Sequence, residues 1–136
     1  EMINKFRAWD EKDREICDVI SLDWKHEIIE VSNGYAIWPR DFFEVEIMQS
    51  TGLKDILGND IYEGDIVKVL VEDDSPKIMS GKMYIGVVAY NQGVFDIRTF
   101  KDTYLGIIPQ VYLSDVNCAF RVLGNIYENE ELLEDN

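Results

Sequence analysis

"QSTGLKDILGNDIYEGDIVKV", residues 49–69, sets a dense run of turn formers ahead of one alternating strand. Gly52, Gly58, Asn59, Asp60, Gly64 and Asp65 all fall between Thr51 and Asp65. Gly58 and Gly64 mark backbone positions where a side chain would be strained. "IVKVLV" (66–71) then reads as a strand that sends Ile66 and Val67 into a core. The run is not a phosphate loop, since it contains neither G-x-x-x-x-G-K-[ST] nor G-x-G-x-x-G. It reads as a set of sharp corners that positions the opening strand of a small β structure. A ligand-binding loop is the alternative for a long Gly/Asp-rich run.

On either side of this run, alternation dominates over helical period. "KFRAW" (5–9) puts Phe6 and Ala8 on one face, and "DEKDRE" (10–15) is a charged turn. "ICDVISLDW" (16–24) places Ile16, Ile20, Leu22 and Trp24 at even positions, which predicts a first hairpin. After "IIEVSN" (28–33), Asn33-Gly34 predicts a second hairpin, through a type I′ turn with positive φ at both central residues. "FFEVEIM" (42–48) reads as a strand with Phe43, Val45 and Ile47 inward and Glu44 and Glu46 in water. "EDDSPKIMSGKM" (72–83) is a loop, and "NQG" joins strands at 84–90 and 94–100. A short strand is expected at 111–116, and another at 119–127 with a glycine bulge. "ENEELLEDN" (128–136) suits a final helical turn or a frayed tail. The expected fold is mostly β: an N-terminal β-hairpin arm over 1–40, then a small barrel over 41–136 with a short C-terminal helical turn.

Four stretches, in order, carry a resemblance: "KFRAWD" (5–10), "MQSTGLKDILGNDIYEGDIV" (48–67), "GVVAYNQGVF" (86–95) and "VLGNIYENEELL" (122–133). Together they resemble the YopX-like proteins of phages and prophages, over nearly the whole chain. The family tail reads with proline after the asparagine, where this chain has Glu130. The resemblance implies a mostly-β fold with an SH3-like barrel in the second part. It also implies self-association and a phage or prophage gene acting in the bacterial cytoplasm. It supplies no catalytic residues.

Composition limits function further. Thirteen Lys and Arg stand against 27 Asp and Glu, a net charge of −14. That charge repels phosphate at long range and disfavours both a general nucleic-acid coat and an anionic membrane surface. No apolar run approaches the roughly 20 residues of a membrane span, and no basic-then-apolar leader opens the sequence. Cys17 and Cys118 are isolated, which fits a reducing compartment rather than a disulfide scaffold.

Each candidate for chemistry has a plain structural reading. His26, the single histidine, sits in a polar turn with no nucleophile near it in sequence. A zinc site built from Cys17, Cys118 and His26 lacks the usual close ligand pairs. The clusters Glu72-Asp73-Asp74 and Asp60/Glu63/Asp65, and the acidic tail, lack a calcium-loop pattern. No catalytic, metal or cofactor residue is therefore assigned.

Two contact surfaces are expected instead. Trp9, Trp24 and Trp38 all fall in the arm and form a candidate protein-contact face. Between Ser75 and Lys101, Lys77, Lys82, Arg98 and Lys101 face Asp96 alone, a local +3, with Tyr84, Tyr90, Phe95 and Phe100 interleaved. Such a segment stacks and neutralises single-stranded nucleic acid in some small barrels; a barrel core with exposed lysines is the plainer reading. The expected function is a non-enzymatic, self-associating accessory module that binds a host or phage protein. The alternative is a small-barrel protein that binds single-stranded nucleic acid.

Overall fold

The computed structural model describes residues 5–72, 81–113 and 117–133. Asp73, Asp74, Lys77 and the last residues of the acidic tail lie outside them, as does the second half, 114–116, of the strand expected at 111–116. The chain is mostly β and divides into two compact units, Glu1–Ser50 and Thr51–Asn136. The division falls at Ser50/Thr51 rather than near residue 40.

The first unit is larger than a hairpin arm. Its strands are β1 (Phe6–Asp10), β2 (Glu15–Asp23), β3 (Ile28–Ser32), β4 (Ile37–Asp41) and β5 (Val45–Lys54), laddered in the order β4-β3-β2-β1-β5. β5 belongs here because it pairs with β1 from Phe6↔Gln49 to Asp10↔Val45. Ala8, Cys17, Ile29, Val31 and Val45 form the core, with Val19, Leu22, Trp38, Phe42 and Ile47 packed on it.

Two expectations of side-chain direction fail in this unit. In β2 the inward residues are first Cys17 and Val19, not Ile16 and Ile20. A bulge between Val19 and Ser21 then changes the phase and turns Leu22 inward. A one-residue insertion flips which side chains face the core, and simple alternation cannot anticipate it. Further on, Phe42–Glu44 is a 3₁₀ turn and β5 starts only at Val45, so Phe43 is 84% exposed. Glu44 is also not free in water. It accepts the Asp41 N–H at 2.9 Å and lies 3.3 Å from Lys12.

The second unit holds residues 51–54 of β5 and, laddered beside that strand, β6 (Asp60–Tyr62). It also holds a four-stranded antiparallel sheet of β7 (Asp65–Val71), β8 (Met83–Asn91), β9 (Val94–Arg98) and β10 (Cys118–Asn125), in the order β10-β7-β8-β9. The described ladders leave this sheet open at β9 and β10, so they do not close the expected barrel. β7 is buried along almost its whole length, as a central strand covered on both faces must be. Val67, Val69 and Val71 meet Val88, Ile97, Ile107, Ile108 and Phe120 in the core.

Turn chemistry fixes the registers. Gln92 (φ 51°) and Gly93 (φ 89°) make the tight two-residue turn that the NQG sequence predicts. Asn33-Gly34 does form a hairpin, but by a longer loop. The Asn33 side chain accepts the N–H groups of Tyr35 and Ala36, and only Gly34 takes positive φ. The register of β10 shifts between Val122 and Gly124, which is the expected bulge.

Of the strand expected over 111–116, residues 111–112 instead end a short helix, α1 (Ile107–Tyr112). Asp96 accounts for this, because its carboxylate accepts the Gly106 N–H at 2.7 Å and the Ile107 N–H at 3.1 Å. The chain's end turns through a 3₁₀ segment at Glu130–Leu133, the expected helical turn.

Gly86 is a point of close approach within this sheet. A Cβ there would lie 2.6 Å from the Arg98 carbonyl oxygen and 2.7 Å from Ile97 Cγ2. Gly86→Ala must push β9 away from β8 and is expected to cost about 2 kcal/mol. Urea unfolding should show a lower midpoint with an unchanged slope. An unchanged midpoint would mean that β9 moves freely.

Candidate functional site

The polar residues that first attract attention are consumed by the fold. In the TGLKD…G…IYEGD run, Thr51 Oγ1 donates to the Ile61 carbonyl and accepts the Leu53 N–H. The Asp55 carboxylate accepts N–H groups from Leu57 (3.0 Å), Asn59 (2.8 Å) and, across to β10, Val122 (3.0 Å), and the Asn59 amide at 3.3 Å. Asp65 accepts the Tyr62 N–H at 2.8 Å. Gly58 and Gly64 take φ of 86° and 89°, which only glycine adopts at ease. The run is therefore a stitched corner. Its glycines and aspartates serve turns.

RAWD has the same character. Asp10 is fully buried. Its carboxylate accepts Trp38 Nε1–H and Arg40 Nε–H, each at 3.1 Å, and the Lys12 N–H at 3.0 Å. Arg40 also reaches Asp13 at 3.2 Å. Cys17 lies in the core of the first unit, where burial pushes its thiol up to about 11 and keeps it protonated. Cys118 lies half-buried in β10, outside any disulfide. Among the described residues no group of three or more His, Cys, Asp or Glu is placed to hold a metal ion.

Of the candidate contact residues, Trp9 is 5% exposed with Arg14 over its ring, and Trp38 is committed to Asp10. Trp24 alone of the three stands in solvent, 70% exposed. Of the basic set, Lys82 is exposed, Arg98 lies 3.9 Å from Asp102, and Lys101 sits over Phe100 at 5.6 Å. Tyr90 and Phe95 form an edge-to-face cross-strand pair with ring centres 5.0 Å apart.

What the structure does assemble is a cleft of about 430 Å³ in the first unit, lined by His26, Glu27, Asp41, Phe42 and Phe43. One wall is the β2–β3 turn. Asp23 Oδ1 accepts the N–H groups of Lys25 and His26, and Asp23 Oδ2 lies 2.8 Å from His26 Nδ1. The hydrogen bond from His26 holds the Asp23 carboxyl below its ordinary value. Glu27 ends the turn with a positive φ of 56°. The other wall is the 3₁₀ turn, tied to the first by the Phe42 N–H donating to the Glu27 carbonyl at 2.9 Å. Trp24 meets Phe42 edge-on, with centroids 5.3 Å apart. The cleft offers two phenylalanine rings, two acidic residues and a histidine. Sequence reading missed Glu27, Asp41, Phe42 and Phe43. Adjacent phenylalanines were the available signal, since neighbours in a strand point to opposite faces and one of the pair must find another environment.

The comparisons agree with a fold-level identity. The family model described as YopX protein matches residues 5–134, and the chain belongs to that family. The crystal structure of protein EF1440 from Enterococcus faecalis is similar at 30% identity and a TM-score of 0.59, covering 98% of this chain and 100% of that one. Protein yopX from Bacillus subtilis shares the fold at 22% identity and a TM-score of 0.54, covering 96% and 98%. No curated protein matches the chain.

The buried aspartates make acid sensitivity calculable in sign. Burial pushes Asp55 up, but the N–H groups of Val122, Asn59 and Leu57 and the Asn59 amide outweigh it, so it titrates below the ordinary 3.8. Asp10 does the same, its burial outweighed by Arg40, Trp38 and two backbone N–H groups. A carboxyl lowered in the folded chain adds stability that is present above the unfolded pKa and lost as pH falls through the folded one. The loss therefore belongs below about pH 4. Asp55→Asn should cost about 2 kcal/mol at neutral pH and flatten the fall in stability below pH 4. Urea titrations at several pH values measure both. A slope unchanged in the variant would mean that Asp55 is not the group titrating.

Proposed function

We propose that this member of the YopX family is a non-enzymatic protein-interaction module. In this reading it is a phage- or prophage-encoded accessory protein, acts in the bacterial cytoplasm, self-associates and binds a host or phage protein. The observation that carries this is the set of aromatic rings that the first unit holds out on structured turns. Trp24 and Phe43 flank the cleft, and Tyr35, 96% exposed, stands on the Asn33 loop at the other end of β3. Each turn is fixed by side-chain bonds, from Asp23, Glu44 and Asn33 respectively. Large rings on rigid turns lose little entropy on contact and bury much area, which makes them effective anchors of an interface. Meanwhile Asp10, Asp55, Asp65 and Asp96 are spent on backbone and side-chain donors, which leaves the fold's buried carboxylates without a chemical role.

The second reading is single-stranded nucleic-acid binding through Lys82, Arg98 and Lys101, with Tyr90 and Phe100 half exposed beside them. It is weakened by Asp102 next to Arg98 and by the overall charge.

Self-association of a chain carrying −14 must work against like-charge repulsion, which salt screens. Light scattering behind size-exclusion chromatography should show the assembled fraction rising from low to high salt, and falling in Trp24→Ala. A monomer under all conditions, with nothing retained by a tagged pull-down from bacterial lysate, would remove the reading. Partners that vanish on nuclease treatment would favour the nucleic-acid alternative.

A further inference from the structure

We propose that the cleft between the β2–β3 turn and the Phe42–Glu44 turn is a binding site for a cationic side chain, an arginine or lysine presented by a basic segment of a partner protein. The inference rests on the interaction-module reading and names the chemistry of its ligand.

Three features of the cleft converge on a cation. First, its apolar lining is aromatic: Phe42 and Phe43 line it, and Trp24 packs edge-on against Phe42. Aromatic faces attract an ammonium or guanidinium at close range, and tryptophan does so best. Second, its charged lining contains two carboxylates, Glu27 and Asp41. The Glu27 side chain makes no hydrogen bond or ion pair with the described residues, while its backbone is pinned by the Phe42 N–H. Third, no Lys or Arg among the described residues lines it. Arg40 is held between Asp10 and Asp13 with its side chain 15% exposed, and Lys12 pairs with Glu44. Lys25 belongs to the same turn but does not line the cleft.

His26 on the rim is already hydrogen-bonded to Asp23, so the Asp23 carboxylate has its partner within its own turn. Glu27 remains for a ligand, beside Asp41, whose side chain also caps the 3₁₀ turn at the Glu44 backbone. A neutral apolar side chain would have to desolvate the Glu27 carboxylate without compensation, which is unfavourable. A cation satisfies the carboxylates with its donors and lays its stem or plane on the rings. The net charge of −14 steers a basic segment towards the protein.

The test is a ¹H–¹⁵N NMR titration of the full chain with N-acetyl-arginine amide. N-acetyl-citrulline amide, with nearly the same shape and no charge, is the control. Saturable shifts are expected at His26, Glu27, Phe42 and Phe43 and at the Trp24 indole N–H, with none from citrulline. Glu27→Gln and Phe43→Ala should each weaken binding by about fivefold. Both replace exposed groups, and Glu30→Gln, on the same unit outside the cleft, should leave binding unchanged. Shifts that track every surface carboxylate without saturating, or that survive both cleft substitutions, would overturn the site.

A cleft silent to arginine but protected in a self-associated form would assign it to a second copy, and the proposal would fail. The two readings also fail separately. A lysate partner retained by Phe43→Ala sinks the cleft and leaves the module. Saturable arginine binding in a chain with no partner and no assembly sinks the module and leaves the site.

Discussion

A carboxylate withdrawn from water must be met by donors, and each unit of this protein is organised around one such group. In the second unit, Asp55 gathers N–H groups from its own turn and one from β10, so a loop and a strand distant in sequence share one anion. Removing it would leave those N–H groups facing nothing and would detach the 55–59 turn from Val122. In the first unit, Asp10 does the same for β1 and β4, taking the Trp38 indole and the Arg40 guanidinium as well as its own turn. The hydrophobic clusters supply the bulk of the stability, but they are non-directional. The anions set the register at which strands and turns meet.

This explains what could be read from the sequence. A structural aspartate beside glycines leaves a dense local pattern, and both the TGLKD run and RAWD were recognisable for that reason. Alternation located most strands, and Gln92-Gly93 and the Gly124 bulge did what their residue types require. Where reading failed, the deciding force was nonlocal. The β2 bulge reverses which side chains face the core, and nothing within 16–24 announces it. At 111–112, strand propensity yields to a helix capped by Asp96, in another element. At 42–43 the sequence did contain a warning, since two large rings in succession cannot both be inward residues of one strand.

The candidate site was less legible than the fold for a related reason. Of the tryptophans, Trp9 and Trp38 proved to be architecture, and only Trp24 faces solvent. The cleft it flanks joins residues 23–27 to 41–43, two turns that come together because β3 and β4 are antiparallel, with Ile28 opposite Asp41. Such a site is defined by a ladder register and not by a motif. Phe42, read as a strand residue, became one wall of the cleft while still packing on the core.

Charge and exposed rings then act on association in opposite senses, and their combination is selective. Net charge keeps copies and other acidic proteins apart, with a reach of about 8–10 Å at ordinary ionic strength. Rings such as Trp24 and Phe43 favour burial against almost any apolar surface. A protein with only the rings would be indiscriminate; one with only the charge would bind little but cations. Together they penalise like-charged partners and reward one that brings both apolar area and positive charge to the same spot. In the proposed reading, Glu27 and Asp41 place that requirement beside Phe42 and Phe43. Specificity of this kind needs no enzyme-like constellation. It needs turns rigid enough to hold rings and carboxylates at a fixed separation, which Asp23, Asn33 and Glu44 provide through their bonds to the backbone.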